Sequence, residues 1–177
     1  MPELVPQLTA IVGAAYRKIG ANTGQGAAYV FAQSGSTWTQ QGAALVALDG
    51  AANDNFGYSV AISGATALVG APYRTVGTNT RQGVAYAFAP SAGVWTQLGS
   101  PAFAADGATS AYFGTSLAMS GGKAIVGAYG KAVGANASQG GAYVLGPVGS
   151  EGDPCTVDGE CVSTSFCASS VCKPKGA

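Results

Sequence analysis

Thr9-Ala10-Ile11-Val12-Gly13-Ala14-Ala15-Tyr16-Arg17 recurs as Thr66-Ala67-Leu68-Val69-Gly70-Ala71-Pro72-Tyr73-Arg74, and a third time, reduced, as Lys123-Ala124-Ile125-Val126-Gly127-Ala128-Tyr129. The copies stand 57 residues apart, counted from Gly13 to Gly70 and from Gly70 to Gly127. Trp38 and Trp95, Asp49 and Asp106, and Phe56-Gly57 and Phe113-Gly114 keep the same step. A fixed period of this length marks a repeat architecture.

Within one period four short runs read as strands: Tyr58 to Ser63, Thr66 to Val69, Gly83 to Ala89 and Val94 to Leu98. Gly, Ser, Asn and Pro turns separate them, and no helical period of useful length intervenes. Their many small residues imply that one sheet lies close on the next. Four antiparallel strands per period make one blade of a β-propeller. The predicted fold is therefore all-β, with propeller-type blades; a β-solenoid or a sandwich of related hairpins is the alternative. Residues 9–65 and 66–122 are full periods and 123–146 a partial one, about two and a half repeats within a blade region spanning 1–146. Closed propellers take 4–8 blades, so the array is expected to be incomplete, open, or completed by self-association.

After Gly146 the composition changes. Residues 147–154 read as a linker. Residues 155–177 hold all four cysteines, Cys155, Cys161, Cys167 and Cys172. Their spacing is too wide for a common zinc site. Two disulfides, in any of three connectivities, fit better, because so small a module needs covalent staples. Disulfides imply an oxidising compartment, extracellular or at the cell surface. Met1 to Pro6 show neither the positive n-region nor the long apolar stretch of a signal peptide, a conflict that a lost leader would reconcile.

Composition narrows the function. Net formal charge is zero, only 9% of residues are charged, and there is no His. Nucleic-acid binding, which needs a basic face, is not expected. No run approaches the roughly 20 apolar residues of a membrane span. Without His the commonest general base and metal ligand is missing, and no nucleophile elbow, P-loop or dinucleotide fingerprint appears. The chain reads as a non-enzyme.

Phe56-Gly57 followed by Gly70-Ala71-Pro72 resembles the FG-GAP repeat, the blade motif of the integrin α-subunit propeller. Phe113-Gly114 with Gly127-Ala128-Tyr129 is a second match, with Tyr in place of Pro. Gly13-Ala14-Ala15 is a third that lacks the Phe-Gly half. The resemblance covers roughly residues 9–146 and is nearest to bacterial secreted or surface proteins. It implies an extracellular, adhesion-like protein that contacts protein or glycan surfaces, or a structural spacer. The alternative is a piece of a larger propeller whose binding or hydrolytic function lies in other blades. Many members carry an acidic calcium loop between the two halves of the motif. Here that turn reads Ile62-Ser63-Gly64-Ala65-Thr66-Ala67 and Met119-Ser120-Gly121-Gly122-Lys123-Ala124, with no carboxylate. Calcium takes six to eight oxygen ligands, several of them usually carboxylates, so no cofactor is expected.

Three constellations remain. The loop Asp49-Gly50-Ala51-Ala52-Asn53-Asp54-Asn55 reads as turn chemistry, with Asp and Asn side chains bonding nearby backbone. It leaves Asp49, Asn53 and Asp54 as a candidate cation set. The pattern Gly-x-Asn-x-x-Gln-Gly recurs at Asn22 and Gln25, at Asn79 and Gln82, and at Asn136 and Gln139. Its amides read as loop brackets. With Tyr16, Arg17, Tyr73 and Arg74 they also outline a rim on the face that the resemblance assigns to partners. Trp38 and Trp95 are expected to pack between blades.

Overall fold

The 57-residue period has no origin of its own; turn chemistry and hydrogen bonding supply one. In the computed structural model, residues 8–146 are described, and the expected linker and the four cysteines lie outside them. Among the described residues every strand pairing is antiparallel, in three sheets. The first holds β1 (Thr9–Ala14), β2 (Ala27–Ser34) and β3 (Thr37–Gln40). The second, with four strands, holds β4 (Ser59–Ser63), β5 (Thr66–Ala71), β6 (Val84–Ser91) and β7 (Val94–Ala102). The third holds β8 (Phe113–Ser120), β9 (Lys123–Ala128) and β10 (Gly141–Leu145).

The middle sheet is a complete up-and-down blade in the order β4-β5-β6-β7. Its four strands are the four runs read from one period. Among the described residues the first sheet has no counterpart of β4 and the third no counterpart of β7. The sheets therefore begin at the Phe-Gly signature, while the period counted from Thr9 cuts between β4 and β5.

Tight turns set the register. Ser63 pairs with Thr66 around Gly64, and Ser120 pairs with Lys123 around Gly121-Gly122. These glycines have φ of +57°, +54° and +75°, the sign that two-residue hairpins demand and that a Cβ disfavours.

The core lies between sheets. One cluster joins Ala28, Val30, Leu45, Ala47 and Phe56 on the first-sheet side to Ala67, Val69, Ala71, Val84, Tyr86 and Phe88 of the second. The other joins Leu68, Ala85, Ala87, Ala102, Ala104 and Phe113 to Ala124, Val126, Ala128, Tyr143 and Leu145 of the third. Phe56 meets Tyr86 edge-on at 5.3 Å, and Phe113 meets Tyr143 at the same distance. Alanine is the commonest residue of both clusters because the backbones nearly touch. A Cβ on Gly13 would sit 1.9 Å from the Gly57 oxygen, and one on Gly70 would sit 2.1 Å from the Gly114 oxygen. The Gly of the Gly-Ala strand end and the Gly of Phe-Gly are thus two sides of one inter-sheet contact. Ser59 Oγ adds a hydrogen bond to the Gly114 oxygen at 2.7 Å. Trp95 packs against the first cluster, between sheets as expected. Trp38 is exposed on β3, because no sheet among the described residues covers that side.

Candidate functional site

The three long β-β loops, 15–26, 72–83 and 129–140, share one end of the stack with the connections between sheets, 41–58 and 103–112. The short hairpins occupy the other end. Each long loop closes on itself in the same way. Ile19 and Asn22, Val76 and Asn79, and Val133 and Asn136 exchange backbone hydrogen bonds. Gly26, Gly83 and Gly140 then donate back to the carbonyls of Arg17, Arg74 and Lys131.

The recurring amides hold this frame. Asn22 Nδ2 donates to Gln25 Oε1 at 2.8 Å, and Gln25 Nε2 donates to the Ala47 carbonyl. Asn79, Gln82 and Ala104 repeat the arrangement at 2.9 and 2.9 Å. Gln25 and Gln82 are buried. The Gln25 carbonyl accepts from Phe56 N–H, and that of Gln82 from Phe113 N–H, both at 2.8 Å. Of the predicted rim, then, Asn22, Gln25, Asn79 and Gln82 tie each long loop to the following connection and sheet.

The acidic loop is built around a cation that the chain itself supplies. Arg74 Nη2 donates to Asp49 Oδ2 at 2.8 Å, and Nη1 to Asp54 Oδ2 at 2.7 Å. Asp54 also accepts from Ala51 N–H, and Tyr86 Oη donates to Asp49 Oδ1 at 2.9 Å. Burial first, and then the two carboxylates, push the Tyr86 hydroxyl well above its ordinary range. One repeat later Lys131 pairs with Asp106, and Tyr143 Oη donates to the same carboxylate at 2.8 Å. Asn53 stands at φ +63° with its N–H on the Thr23 carbonyl. Asp49 and Asp54 thus share one guanidinium. No group of three His, Cys, Asp or Glu placed to hold a metal occurs among the described residues.

What the loop end presents outward is aromatic. Tyr58 meets Tyr73 at 6.0 Å and Tyr73 meets Tyr112 at 5.5 Å, both edge-on; Tyr112 stacks on Tyr129 at 4.8 Å with 5° between ring planes. Tyr58 and Tyr129 are exposed, as is Tyr16 near the start of the row. Beside Tyr73, a cleft of about 720 Å³ is lined by the Asp49–Asp54 loop, Arg74, Thr80, Arg81 and Ser110. Arg81 and Ser110 beside the Tyr112 hydroxyl hold its pKa below the ordinary tyrosine range. Loss of solvation and neighbouring tyrosines raise those of Tyr73 and Tyr129.

Of the eight rim residues, the structure brings Tyr73 into this row and Arg74 beneath it, and places Tyr16 and Arg17 exposed beside the first sheet. Tyr58, Tyr112 and Tyr129 are the members that reasoning from the repeat overlooked. The signal was present as an exception to the period: Tyr112 stands where the first copy has Asn55, Tyr129 where the second has Pro72, and Gly130 where it has Tyr73. Tyr112 keeps the positive φ of Asn55, 55° against 57°. Asn tolerates that region, whereas a bulky ring there is strained.

A family model described as FG-GAP repeat matches residues 38–88 and again residues 95–145. No curated protein matches the chain at a significant level.

Proposed function

Because this chain belongs to the FG-GAP repeat family, and has the blade stack that the repeat implies, we propose that it is a non-enzymatic binding module whose loop end contacts a protein partner outside the cell. The observation that carries the reading is the row Tyr58-Tyr73-Tyr112-Tyr129. A feature present in every repeat serves the scaffold. This row is assembled where the repeat departs from itself, and it sits on the surface at the cost of a strained residue. Tyrosine offers a large, stiff, amphipathic contact area, and with Arg it is enriched in protein interfaces. Arg81 stands beside the row, and the adjoining cleft gives a partner side chain a place to enter. The carboxylates nearby are held by Arg74 and Lys131, so the face offers aromatic and hydrogen-bonding contact with little net charge. An extracellular location fits the repeat family, and no helix among the described residues is long and apolar enough to cross a membrane.

Selection of binders from a displayed random-peptide library tests the reading. Tyr112→Asn and Tyr129→Pro restore the residues that the other repeats use, so the fold is retained. Peptides enriched on the natural chain should lose at least tenfold in affinity for the double variant. Binders indifferent to both substitutions would refute the assignment.

A further inference from the structure

The second long loop departs from its copies at one further place. Gly24 of the first loop is Arg81 in the second and Ser138 in the third. All three keep a left-handed backbone, with φ of +66°, +54° and +52°. Glycine takes that conformation freely, whereas an arginine held there is strained. The connection after the loop departs in step. Asn53 becomes Ser110 and Asn55 becomes Tyr112, and the backbone is again kept: φ is +63° against +61°, and +57° against +55°. The mounting is also the same. Asn53 and Asn55 donate their N–H groups to the Thr23 and Gly24 carbonyls, and Ser110 and Tyr112 donate theirs to the Thr80 and Arg81 carbonyls. One backbone frame is thus built twice. The first carries Gly, Asn and Asn, and the second carries Arg, Ser and Tyr.

The exchanges fit one another sterically. A Cβ on Gly24 would sit 3.1 Å from Asn53 Oδ1. Serine at 110 has no amide oxygen, which leaves room for the stem of Arg81. Arg81 is exposed, lines the cleft together with Thr80 and Ser110, and stands beside the Tyr112 hydroxyl. Among the described residues it is paired with no carboxylate. Asp49 and Asp54 are engaged by Arg74, and Asp106 by Lys131. Both oxygens of Asp49 and Oδ2 of Asp54 already accept hydrogen bonds. What the cleft leaves unmatched is the guanidinium.

We propose that this cleft receives a carboxylate of the protein partner, an Asp or Glu side chain seated on Arg81, with the Ser110 and Tyr112 hydroxyls as further donors. The proposal rests on the reading of the loop end as a protein-binding face, and it names the chemistry of the group that enters the cleft. A guanidinium presents paired N–H donors in the geometry of a carboxylate, and such charge-assisted bonds are about twice as strong as neutral ones. Tyr73 also lines the cleft, and an aromatic wall that excludes water strengthens an ion pair beside it.

The peptides selected on the natural chain are the probe. They should share one Asp or Glu, and replacing it by Asn or Gln should weaken binding by about tenfold or more. Arg81→Gly restores the residue of the first loop. Its Tm should hold or rise, because glycine relieves the left-handed strain. The variant should weaken the acidic peptides by about tenfold or more. It should change binding of their Asn or Gln forms by less than about twofold, since both substitutions remove the same contact. Arg81→Lys keeps the charge without the fork and should fall between. Peptides that need Tyr112 and Tyr129 but share no acid, or that bind Arg81→Gly as well as the natural chain, would overturn the proposal and leave the binding face standing. A fall in Tm of more than about 4 °C in Arg81→Gly would make Arg81 a structural residue and overturn it as well. Peptides indifferent to the tyrosines would remove the face itself, and the proposal with it.

Discussion

Replacing Gly70 by alanine isolates the contact that sets the spacing of the sheets. Gly70 is not among the residues with positive φ, so alanine meets no backbone penalty there. By itself the change would stiffen the unfolded chain and stabilise by about 0.4–1 kcal/mol. Against this, the new Cβ would lie 2.1 Å from the Gly114 oxygen and 2.5 Å from Ser59 Oγ. Ser59 can rotate, at the loss of its hydrogen bond to the Gly114 oxygen. The Gly114 carbonyl is backbone and cannot. A carbon–oxygen contact needs roughly 3.3 Å, so the second and third sheets must part by about 1 Å. A gap of that size forfeits a quarter to a half of the dispersion energy of the atoms facing it. Those atoms belong to Leu68, Ala85, Phe113, Val126 and Tyr143. Overpacking of this kind costs roughly 1–3 kcal/mol, and with the lost hydrogen bond, about 1 kcal/mol, set against the stiffer unfolded chain the expected net is about 2 kcal/mol. That corresponds to a fall in Tm of roughly 4–8 °C. Two controls locate the effect. Gly64→Ala has nothing within 4 Å of its Cβ but keeps φ +57°, and should cost about 1–2 kcal/mol from backbone strain alone. At Gly127 the Cβ would meet only Ser116 of its own sheet, the nearest atom being the rotatable Oγ, so Gly127→Ala should cost less than about 1 kcal/mol. Urea unfolding followed by circular dichroism gives all three values. A Gly70→Ala protein within about 0.5 kcal/mol of the natural chain, or one no worse than Gly127→Ala, would refute the reasoning.

Other consequences can be measured in the same way. Asp49→Ala leaves the buried Tyr86 hydroxyl without its acceptor and should destabilise by about 1–3 kcal/mol, whereas adding Tyr86→Phe should recover part of the loss; a urea series on the single and double variants checks this. Asp106 is held below the usual carboxylate range, first by its hydrogen bond from Lys131, and Lys131 is raised, first by its bond to Asp106. The pair's contribution is therefore present between the unfolded values of ~3.9 and ~10.4. It fades as pH falls below the first through the folded Asp106 pKa, and as pH rises above the second through the folded Lys131 pKa. For so exposed a pair the difference between natural chain and Lys131→Ala should be at most about 1 kcal/mol at pH 7 and vanish toward pH 2. Calcium up to millimolar levels should leave Tm unchanged, because the Asp49 and Asp54 carboxylates are already engaged by Arg74; a rise of several degrees in a calcium titration would show that the loop binds the ion after all.

The repeat made the strands legible because it fixed which residues are equivalent. The four runs of one period are the four strands of the middle sheet, and the small residues correctly implied backbones in near contact. Three things were not legible from spacing alone. Trp38 and Trp95 are equivalent in sequence but not in burial, because no sheet among the described residues covers Trp38 as the first sheet covers Trp95. The side-chain site was hidden for the opposite reason. Attention to conserved spacing selects what every blade shares, and those groups, Gln25 and Gln82 above all, are bonded into the frame. The tyrosine row depends on Tyr112 and Tyr129, which depart from the period, and on a crossing from one sheet to the next that only packing reveals. The Arg74 clamp was hidden too, since residues 20 and 25 positions apart meet only when the loop between sheets folds back.

Ring-to-ring NOEs among the tyrosines test the central claim most directly, since they report both the stacking of the repeats and the surface made by it. With the tyrosine ring protons assigned, the structure predicts a connected series, Tyr58 to Tyr73, Tyr73 to Tyr112 and Tyr112 to Tyr129, with the last pair strongest at a centroid distance of 4.8 Å. Tyr73 follows β5 of the second sheet and Tyr112 leads into β8 of the third, so their cross-peak exists only if the second and third sheets pack as described. Absence of that cross-peak in folded protein, with Tyr112 and Tyr129 also unconnected, would contradict the account.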